Sequence, residues 1–139
     1  MNAKAGMEMG EGQGPHRRGE EKAAIAVACE RLIAGTLKPR FLPEIRPTEF
    51  NYTIDILGKW RGNKYAFIAR YRSGFPDNAG EEFESAFARI DHVEESIVEN
   101  RFDVMWHRHT GQWWRMHSSV TLEEALRLIE TEPLLRPPL

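Results

Sequence analysis

Two histidines separated by one residue, His107 and His109, are the part of the sequence best suited to chemistry. Side chains two apart in a β-strand lie on one face, with backbone positions about 6.5–7 Å apart, so two such imidazoles can bind one metal ion. A zinc site needs a third protein ligand, for which His92 and Asp91 are the nearest candidates. One hypothesis is therefore a metal-binding protein or a metal-dependent enzyme. The alternative is that both histidines are surface or hydrogen-bonded residues without a metal.

Arginines and aromatic residues alternate in two segments that we predict to form hairpins. Sheet faces with aromatic rings beside arginines bind single-stranded nucleic acid in several folds. The alternative is a structural role, in which the tryptophans fill the core and the arginine stems cover them. The candidate residues for a ligand-binding or partner-binding face are Arg70, Arg72, Trp106, Arg108, Trp114 and Arg115.

Charge is unevenly distributed along the chain. Residues 59–72 contain five basic residues and no acidic residue, whereas residues 77–99 contain eight acidic residues and one arginine. If the two segments are neighbouring strands, Arg70 and Arg72 pair with acidic residues across the boundary between them. The alternative is a basic stripe that binds a phosphate-bearing ligand. Internal pairing is the interpretation that we favour, because charge runs usually form solvated surfaces.

The composition is that of a single globular domain. The chain has 139 residues, of which 41% are hydrophobic and 29% charged. Its apolar runs are far shorter than the about 20 residues that span a bilayer, so we expect no membrane attachment. One cysteine excludes an intrachain disulfide framework and favours a cytoplasmic protein. A net charge of −2 argues against general coating of nucleic acid.

The sequence contains none of the common catalytic signatures. A Gly-rich phosphate loop, a nucleophile elbow, a zinc-protease helix and a Cys–His pair are all missing. We therefore predict no cofactor, apart from a divalent metal under the histidine hypothesis. The pattern favours a non-catalytic binding protein that acts through a protein partner or by self-association. Its contact surface is predicted to be an exposed sheet face or the edge near Pro43 and Pro47, with nucleic-acid binding as the alternative.

Hydrophobic periodicity predicts the elements that position these residues. Helical spacing predicts a helix over residues 20–37, ended by Gly35 and Lys38-Pro39, and a Thr121–Glu124 capping box begins a second helix that ends at Pro133. Residues 58–63 are predicted to form a turn. Alternating apolar residues predict strands over residues 50–56, 64–72, 87–93, 102–109 and 112–118.

The predicted fold is one α+β domain, with an antiparallel sheet of four to five strands, an N-terminal helix and a C-terminal helix. Composition divides the chain into a flexible leader at residues 1–18, the domain at 19–133 and a short Pro-rich tail at 134–139. If Thr110-Gly111 forms a two-residue turn, His107 lies opposite Trp114.

Two sequence blocks resemble a small bacterial family that is known only as a domain of unknown function. One runs from Phe41-Leu-Pro-Glu-Ile-Arg-Pro to the tryptophan-rich Trp106-His-Arg-His-Thr-Gly-Gln-Trp-Trp, and the other is the Leu122-Glu-Glu-Ala-Leu helix with its acidic-Pro end. The resemblance covers roughly residues 25–135. It implies a small bacterial intracellular protein and brings no activity, cofactor or catalytic residue.

Overall fold

Five antiparallel strands form one sheet, in which each strand pairs with its neighbours in sequence. The computed structural model describes residues 15–93 and 100–138. The strands are β1 (Asn51–Arg61), β2 (Lys64–Ser73), β3 (Glu82–His92), β4 (Phe102–His107) and β5 (Trp113–Val120).

Helices precede and follow the sheet. They are α1 (Pro15–Leu32), α2 (Lys38–Phe41) and α3 (Leu122–Thr131), with a π-helical turn (Ile33–Leu37) between α1 and α2 and short 3₁₀ turns at Pro76–Asn78 and Pro133–Leu135. The predicted α+β fold, with an antiparallel sheet and a helix at each end, is confirmed.

The helices pack on one face of the sheet, which we call the covered face, and the other face is the open face. Helix α1 contacts β1, and α3 contacts β4. Alternate residues of each strand point to the covered face because successive strand side chains point in opposite directions. The buried core there includes Ile25, Cys29, Ile33, Leu37, Tyr65, Phe67, Ala88, Ile90, Phe102, Val104, Ala125 and Ile129.

The first helix does not end where the sequence predicts. It continues through Gly35 and Pro39 to Phe41, and the π-helical turn ends at Leu37, two residues before the proline. A proline inside an α-helix removes one hydrogen bond and clashes with the carbonyl four residues earlier. The π-helical turn is wider than an α-helical turn, since the Lys38 N–H donates to the Ile33 oxygen five residues back. It therefore changes the distance between the proline ring and the carbonyls of the preceding turn. A buried Leu37 holds the segment against the sheet.

Strand β1 continues through the first four residues, 58–61, of the turn predicted at residues 58–63. Gly58 lies within the strand, where a Cβ atom would be 2.1 Å from the Tyr65 hydroxyl. The glycine is therefore needed because the Tyr65 ring packs over the backbone, and it does not mark a turn. The turn itself is Gly62-Asn63, with Gly62 at φ 63°, a geometry that suits a two-residue hairpin.

The other predicted boundaries also shift. Strand β3 begins at Glu82, several residues before the predicted start, and β4 ends at His107. Thr121 begins α3 as expected, since its hydroxyl accepts a hydrogen bond from the Glu124 N–H at 3.1 Å. In a capping box the Glu124 carboxylate would accept a hydrogen bond from the Thr121 backbone N–H, but here it pairs with Arg127.

The described structure extends beyond both boundaries of the predicted domain. The first 14 residues of the predicted leader lie outside the described residues, and residues 15–18 belong to α1. In the predicted tail, Leu135 is buried, and the Tyr71 hydroxyl donates to the Pro138 oxygen at 3.2 Å. None of the helices in residues 15–93 and 100–138 combines the length and apolar composition needed to cross a bilayer.

Candidate functional site

The arginines predicted on β2 form ion pairs within the open face. Arg70 donates to Glu84 at 2.8 Å, and Arg72 donates to Glu82 at 2.9 Å, each directly across the strand boundary. Lys59 adds a second contact to Glu84 at 2.8 Å. Hydrogen bonds from Lys59 and Arg70 lower the pKa of the Glu84 carboxyl. Arg70 and Arg72 therefore stabilise the sheet, as the internal-pairing interpretation predicts.

A β-bulge in β3 produces this pairing. Phe67 lies opposite Ala88, whereas Ile68 lies opposite Ala86, so Phe87 is an extra residue in β3. Phe87 and Ala88 are both buried. Without the bulge, Arg70 and Arg72 would lie opposite residues 85 and 83, which carry no charge. The extra residue thus buries one more aromatic ring and aligns the acidic side chains of β3 with the basic ones of β2.

Arg115 and Arg89 also have carboxylate partners on the open face. Arg115 lies 3.5 Å from Asp103, and Arg89 donates to both oxygens of Asp91 at 2.7 and 2.9 Å. The Arg89 guanidinium also lies over the ring of Trp113, 4.5 Å from its centroid. The Arg89–Asp91 pair is only 16% exposed on each side, so it is less screened by solvent than the Arg115 pair.

The four metal-ligand candidates lie in separate places. The His107 ring stacks on Trp113, and its Nδ1 donates to the Ala86 oxygen at 2.7 Å, because a carbonyl can only accept. His109 lies beyond the end of β4 and is exposed. Within residues 15–93 and 100–138, no group of three His, Cys, Asp or Glu residues is placed to hold a metal ion.

The candidate third ligands are not beside His107. His92 is the cross-strand partner of Phe102 and stacks on its ring at 5.1 Å, on the covered face. Asp91 shares the open face with His107, but it lies opposite Asp103, four residues and about 13 Å along β4 from the histidine. These two residues therefore cannot complete a site with His107 in this arrangement.

Next to its loop, the predicted register of the last hairpin is wrong by one residue. His107 pairs with Trp113, and Trp106 pairs with Trp114, because the connection spans residues 108–112. The Arg108 N–H donates to the Gln112 oxygen, and Gly111 takes φ 87° within this longer loop. The shift places Trp113, rather than Trp114, on the open face beside His107.

Arg108 lies between two tryptophans on the covered-face side of the sheet. Its guanidinium carbon is 5.5 Å from the Trp106 ring centroid and 5.1 Å from that of Trp114. Trp106 packs against the core, whereas Trp114 is 50% exposed. The Arg108 Nε is buried without a hydrogen-bond partner, and its guanidinium has no ion pair with any described residue. We call these three residues the Trp–Arg–Trp cluster.

The predicted binding face is thus divided between the two sides of the sheet. Arg70, Arg72 and Arg115 lie on the open face in ion pairs. Trp106, Arg108 and Trp114 lie together on the opposite side, at the β4–β5 hairpin.

A family model described as a domain of unknown function, DUF3024, matches residues 18–135. The chain belongs to this family. The family description fits the resemblance drawn from the tryptophan-rich hairpin and the helix after it, and both lie within the matched residues. Comparisons with curated proteins and with solved structures find no match to the chain.

Within this DUF3024 domain, sequence reasoning missed four side chains that surround a concavity on the open face. They are Arg61, Lys64, Arg89 and Trp113. Arg61 lies within the predicted turn and Lys64 directly follows it, and the wrong hairpin register places Trp113 away from the open face. The sequence signal for the first two was present, because both belong to the basic segment at residues 59–72.

Proposed function

We propose that this protein is a non-catalytic interaction module whose Trp–Arg–Trp cluster binds an acidic side chain on a protein partner. The observation that carries the proposal is the set of contacts that the Arg108 guanidinium makes and the hydrogen bond that its Nε lacks. Its guanidinium is held against two indole rings, while its buried Nε has no hydrogen-bond partner. A buried donor of a charged group without an acceptor costs roughly 1–3 kcal/mol or more. A partner carboxylate would pair with the terminal nitrogens of the guanidinium and so compensate for the desolvation of its charge.

The residue types support a protein contact. Tryptophan and arginine are the residues that most often dominate binding energy in protein interfaces. The exposed half of Trp114 supplies apolar area, and Arg108 supplies a planar donor group that matches a carboxylate. Because stacking already fixes the guanidinium, little side-chain entropy remains to be lost on binding.

An acidic protein partner is favoured over nucleic acid. The cluster contains a single cation, and the chain carries a net charge of −2. Binding to a nucleic-acid backbone usually draws on several lysines and arginines. Both rings of the cluster are also already in contact with Arg108, which reduces the ring surface on which bases could stack.

The proposal includes a cellular setting, the bacterial cytoplasm. The support is that the single cysteine, Cys29, is buried and unpaired, which suits a reducing compartment. The resemblance noted in the sequence supports the bacterial origin.

A selection from a randomised displayed peptide library tests the proposal. We expect the selected peptides to be enriched in Asp and Glu next to apolar residues, and their affinities can be measured by fluorescence anisotropy. Trp114→Ala should weaken binding by about 30-fold, which corresponds to about 2 kcal/mol. Arg108→Lys should also weaken it, because lysine keeps the charge but lacks the planar donor group.

The matched control is Arg115→Ala, which removes the same charge from the opposite face. It should leave peptide affinity unchanged. Peptides without acidic residues, or equal losses in the control, would contradict the proposal. Salt-dependent binding of single-stranded oligonucleotides that is lost in Arg108→Ala would support nucleic acid instead. Dimerisation in sedimentation experiments that is lost in Trp114→Ala would identify a second copy as the partner.

A further inference from the structure

The open face contains a concavity with a volume of about 300 Å³. It lies over the middle of β2 and β3 and extends to the side chain of Trp113 on β5. This volume is at the lower end of the range of small-molecule pockets. Its lining residues are Arg61, Lys64, Ala66, Ile68, Glu84, Ala86, Arg89 and Trp113.

The floor of the concavity is apolar and built from small side chains. Ala66 and Ile68 are 7% and 4% exposed, yet neither belongs to the core cluster on the covered face. Ala86 lies opposite Ile68 in the sheet and continues the floor. The longer side chains around Ala66 and Ile68 already shelter them on the open face, so the apolar surface that a ligand can still cover lies mainly on the partly exposed Ala86 and Trp113.

The cations at one end of the concavity differ from the others on this face. Among the described residues, neither Arg61 nor Lys64 has a carboxylate within ion-pair distance. The other cations of the open-face strands each have an acidic partner: Lys59, Arg70, Arg72, Arg89 and Arg115. Asp91 lies directly opposite Lys64 in the sheet, but Arg89 donates to both oxygens of its carboxylate. Within the described residues, two cations on neighbouring strands therefore lack an ion pair, and they favour a negatively charged group at this end.

The hairpin that carries these two cations is anchored from both sides. Lys22 of α1 donates to the Gly62 oxygen at 2.6 Å, and the Asn63 side chain donates to the His92 oxygen at 3.0 Å. The backbone of His92 donates in turn to the Asn63 oxygen at 2.8 Å. The backbone that positions Arg61 and Lys64 is thus fixed before any ligand binds, which lowers the entropic cost of binding.

The remaining walls limit the ligand to one anionic group. Glu84 lies at the far end, and Asp91 follows Arg89 along one side. A polyanionic backbone that crossed this face would pass close to these carboxylates and be repelled. Trp113 is held in place by Arg89 and His107 and presents an apolar wall.

We propose that this concavity binds a small molecule with one anionic head group, a phosphate or a carboxylate, attached to a compact apolar body. The head group pairs with Arg61 and Lys64. The body lies on Ala66, Ile68 and Ala86 against Trp113. This site is separate from the Trp–Arg–Trp cluster, which lies on the other side of the sheet, and either proposal can fail without the other.

Phenyl phosphate is the probe, with benzoate as the carboxylate form, and both are titrated into ¹⁵N-labelled protein. We expect shifts of the amide signals at residues 61–66 and 86 and of the Trp113 indole signal, with a Kd of about 1 mM or tighter. Inorganic phosphate and phenol, which supply the head group or the body alone, should bind more weakly. The stronger of the two aromatic probes identifies the head group.

Two double variants separate this site from general charge attraction. Arg61→Ala/Lys64→Ala should weaken phenyl phosphate binding by about tenfold or more. Arg72→Ala/Arg115→Ala removes the same charge from the same face outside the concavity and should leave binding unchanged. Equal losses of affinity in the two double variants would overturn the proposal. So would amide shifts confined to other residues, or a titration in which neither aromatic probe saturates the protein.

A third variant tests the apolar floor. Ala86→Phe fills the concavity and leaves both cations in place, so phenyl phosphate should bind it no better than inorganic phosphate does. Ala86→Leu is the smaller alternative if the phenylalanine variant does not fold, and it should give the same ranking. Undiminished phenyl phosphate binding in a folded Ala86 variant would show that the apolar floor plays no part.

Discussion

The Arg89 guanidinium lies over the indole ring of Trp113, 4.5 Å from the ring centroid. The same guanidinium donates to both oxygens of Asp91, and the His107 ring stacks on the indole with its centroid at 4.5 Å. One arginine thus connects β3 to β5 across β4. We call Arg89, Asp91, His107 and Trp113 the Arg89 array. Because this array joins three strands on the open face, its loss is expected to affect the stability of the fold as well as the concavity beside it.

Replacing Arg89 with alanine should lower the free energy of unfolding by about 2–3 kcal/mol, since it leaves the mostly buried Asp91 carboxylate without its partner and exposes Trp113. Urea denaturation measures this change. Arg115→Ala is the control, because Arg115 is 63% exposed in its 3.5 Å pair and should contribute less than about 1 kcal/mol. Equal losses for the two variants would show that the Arg89 array has no special role in stability.

Gly58→Ala should destabilise the protein by about 1–3 kcal/mol, because the new methyl group would overlap the Tyr65 ring. Gly35→Ala should have the opposite effect and stabilise it by about 0.5–1 kcal/mol, since nothing lies within 4 Å of the added Cβ in a helical turn. Thermal and urea denaturation of both variants checks the signs. A neutral Gly58→Ala would mean that the Tyr65 ring moves aside at little cost.

These two glycines also show where the sequence could and could not predict the fold. Periodicity of two and of 3.6 predicted the strands and helices because these patterns report which side chains are buried. Glycine favours turns, but it is also selected where a ring packs against the backbone, and the sequence does not distinguish these reasons. The sequence pattern predicts a break at both Gly58 and Gly35, yet Gly58 lies inside β1 and Gly35 inside the helical turn that joins α1 to α2.

The candidate sites depended on features finer than periodicity. A one-residue difference in loop length decides whether Trp113 or Trp114 faces His107, and Gly111 fits either loop. Likewise, the single extra residue at Phe87 determines which acidic side chains meet Arg70 and Arg72. The sequence therefore predicts which residues have side chains that could bind or react. Which of them lie together depends on the strand register and on the bulge, which the sequence does not reveal.

Zinc titration by calorimetry tests the histidine hypothesis directly. The His107 ring stacks on Trp113 and the His92 ring stacks on Phe102, on opposite faces of the sheet. We expect zinc to bind no more tightly than to an isolated surface histidine, and His107→Ala/His109→Ala to leave the titration unchanged. Near-stoichiometric metal in freshly purified protein that is lost in the double variant would instead establish a site at this hairpin.

Stability should fall as the pH rises above about 9. Burial raises the pKa of the Cys29 thiol from 9.0 to about 12 in the folded protein, so the folded state keeps a proton that the unfolded chain releases. The stabilisation is complete below pH 9 and is lost progressively up to about pH 12, at no more than about 1.4 kcal/mol per pH unit. Burial also raises the pKa of Tyr65, which adds to the effect at higher pH.

The variant Cys29→Val separates the thiol from the other groups. It removes the thiol titration and should give a flatter dependence of unfolding free energy on pH between 9 and 12, whatever its stability at pH 7. The residual slope then reports Tyr65 and Tyr71, because burial raises the pKa of both phenols, and Tyr65→Phe removes the first of the two contributions. An unchanged slope in Cys29→Val would show that the thiol already ionises at its ordinary pKa in the folded state. In the wild-type chain, iodoacetamide should accordingly react with Cys29 only as fast as the protein unfolds.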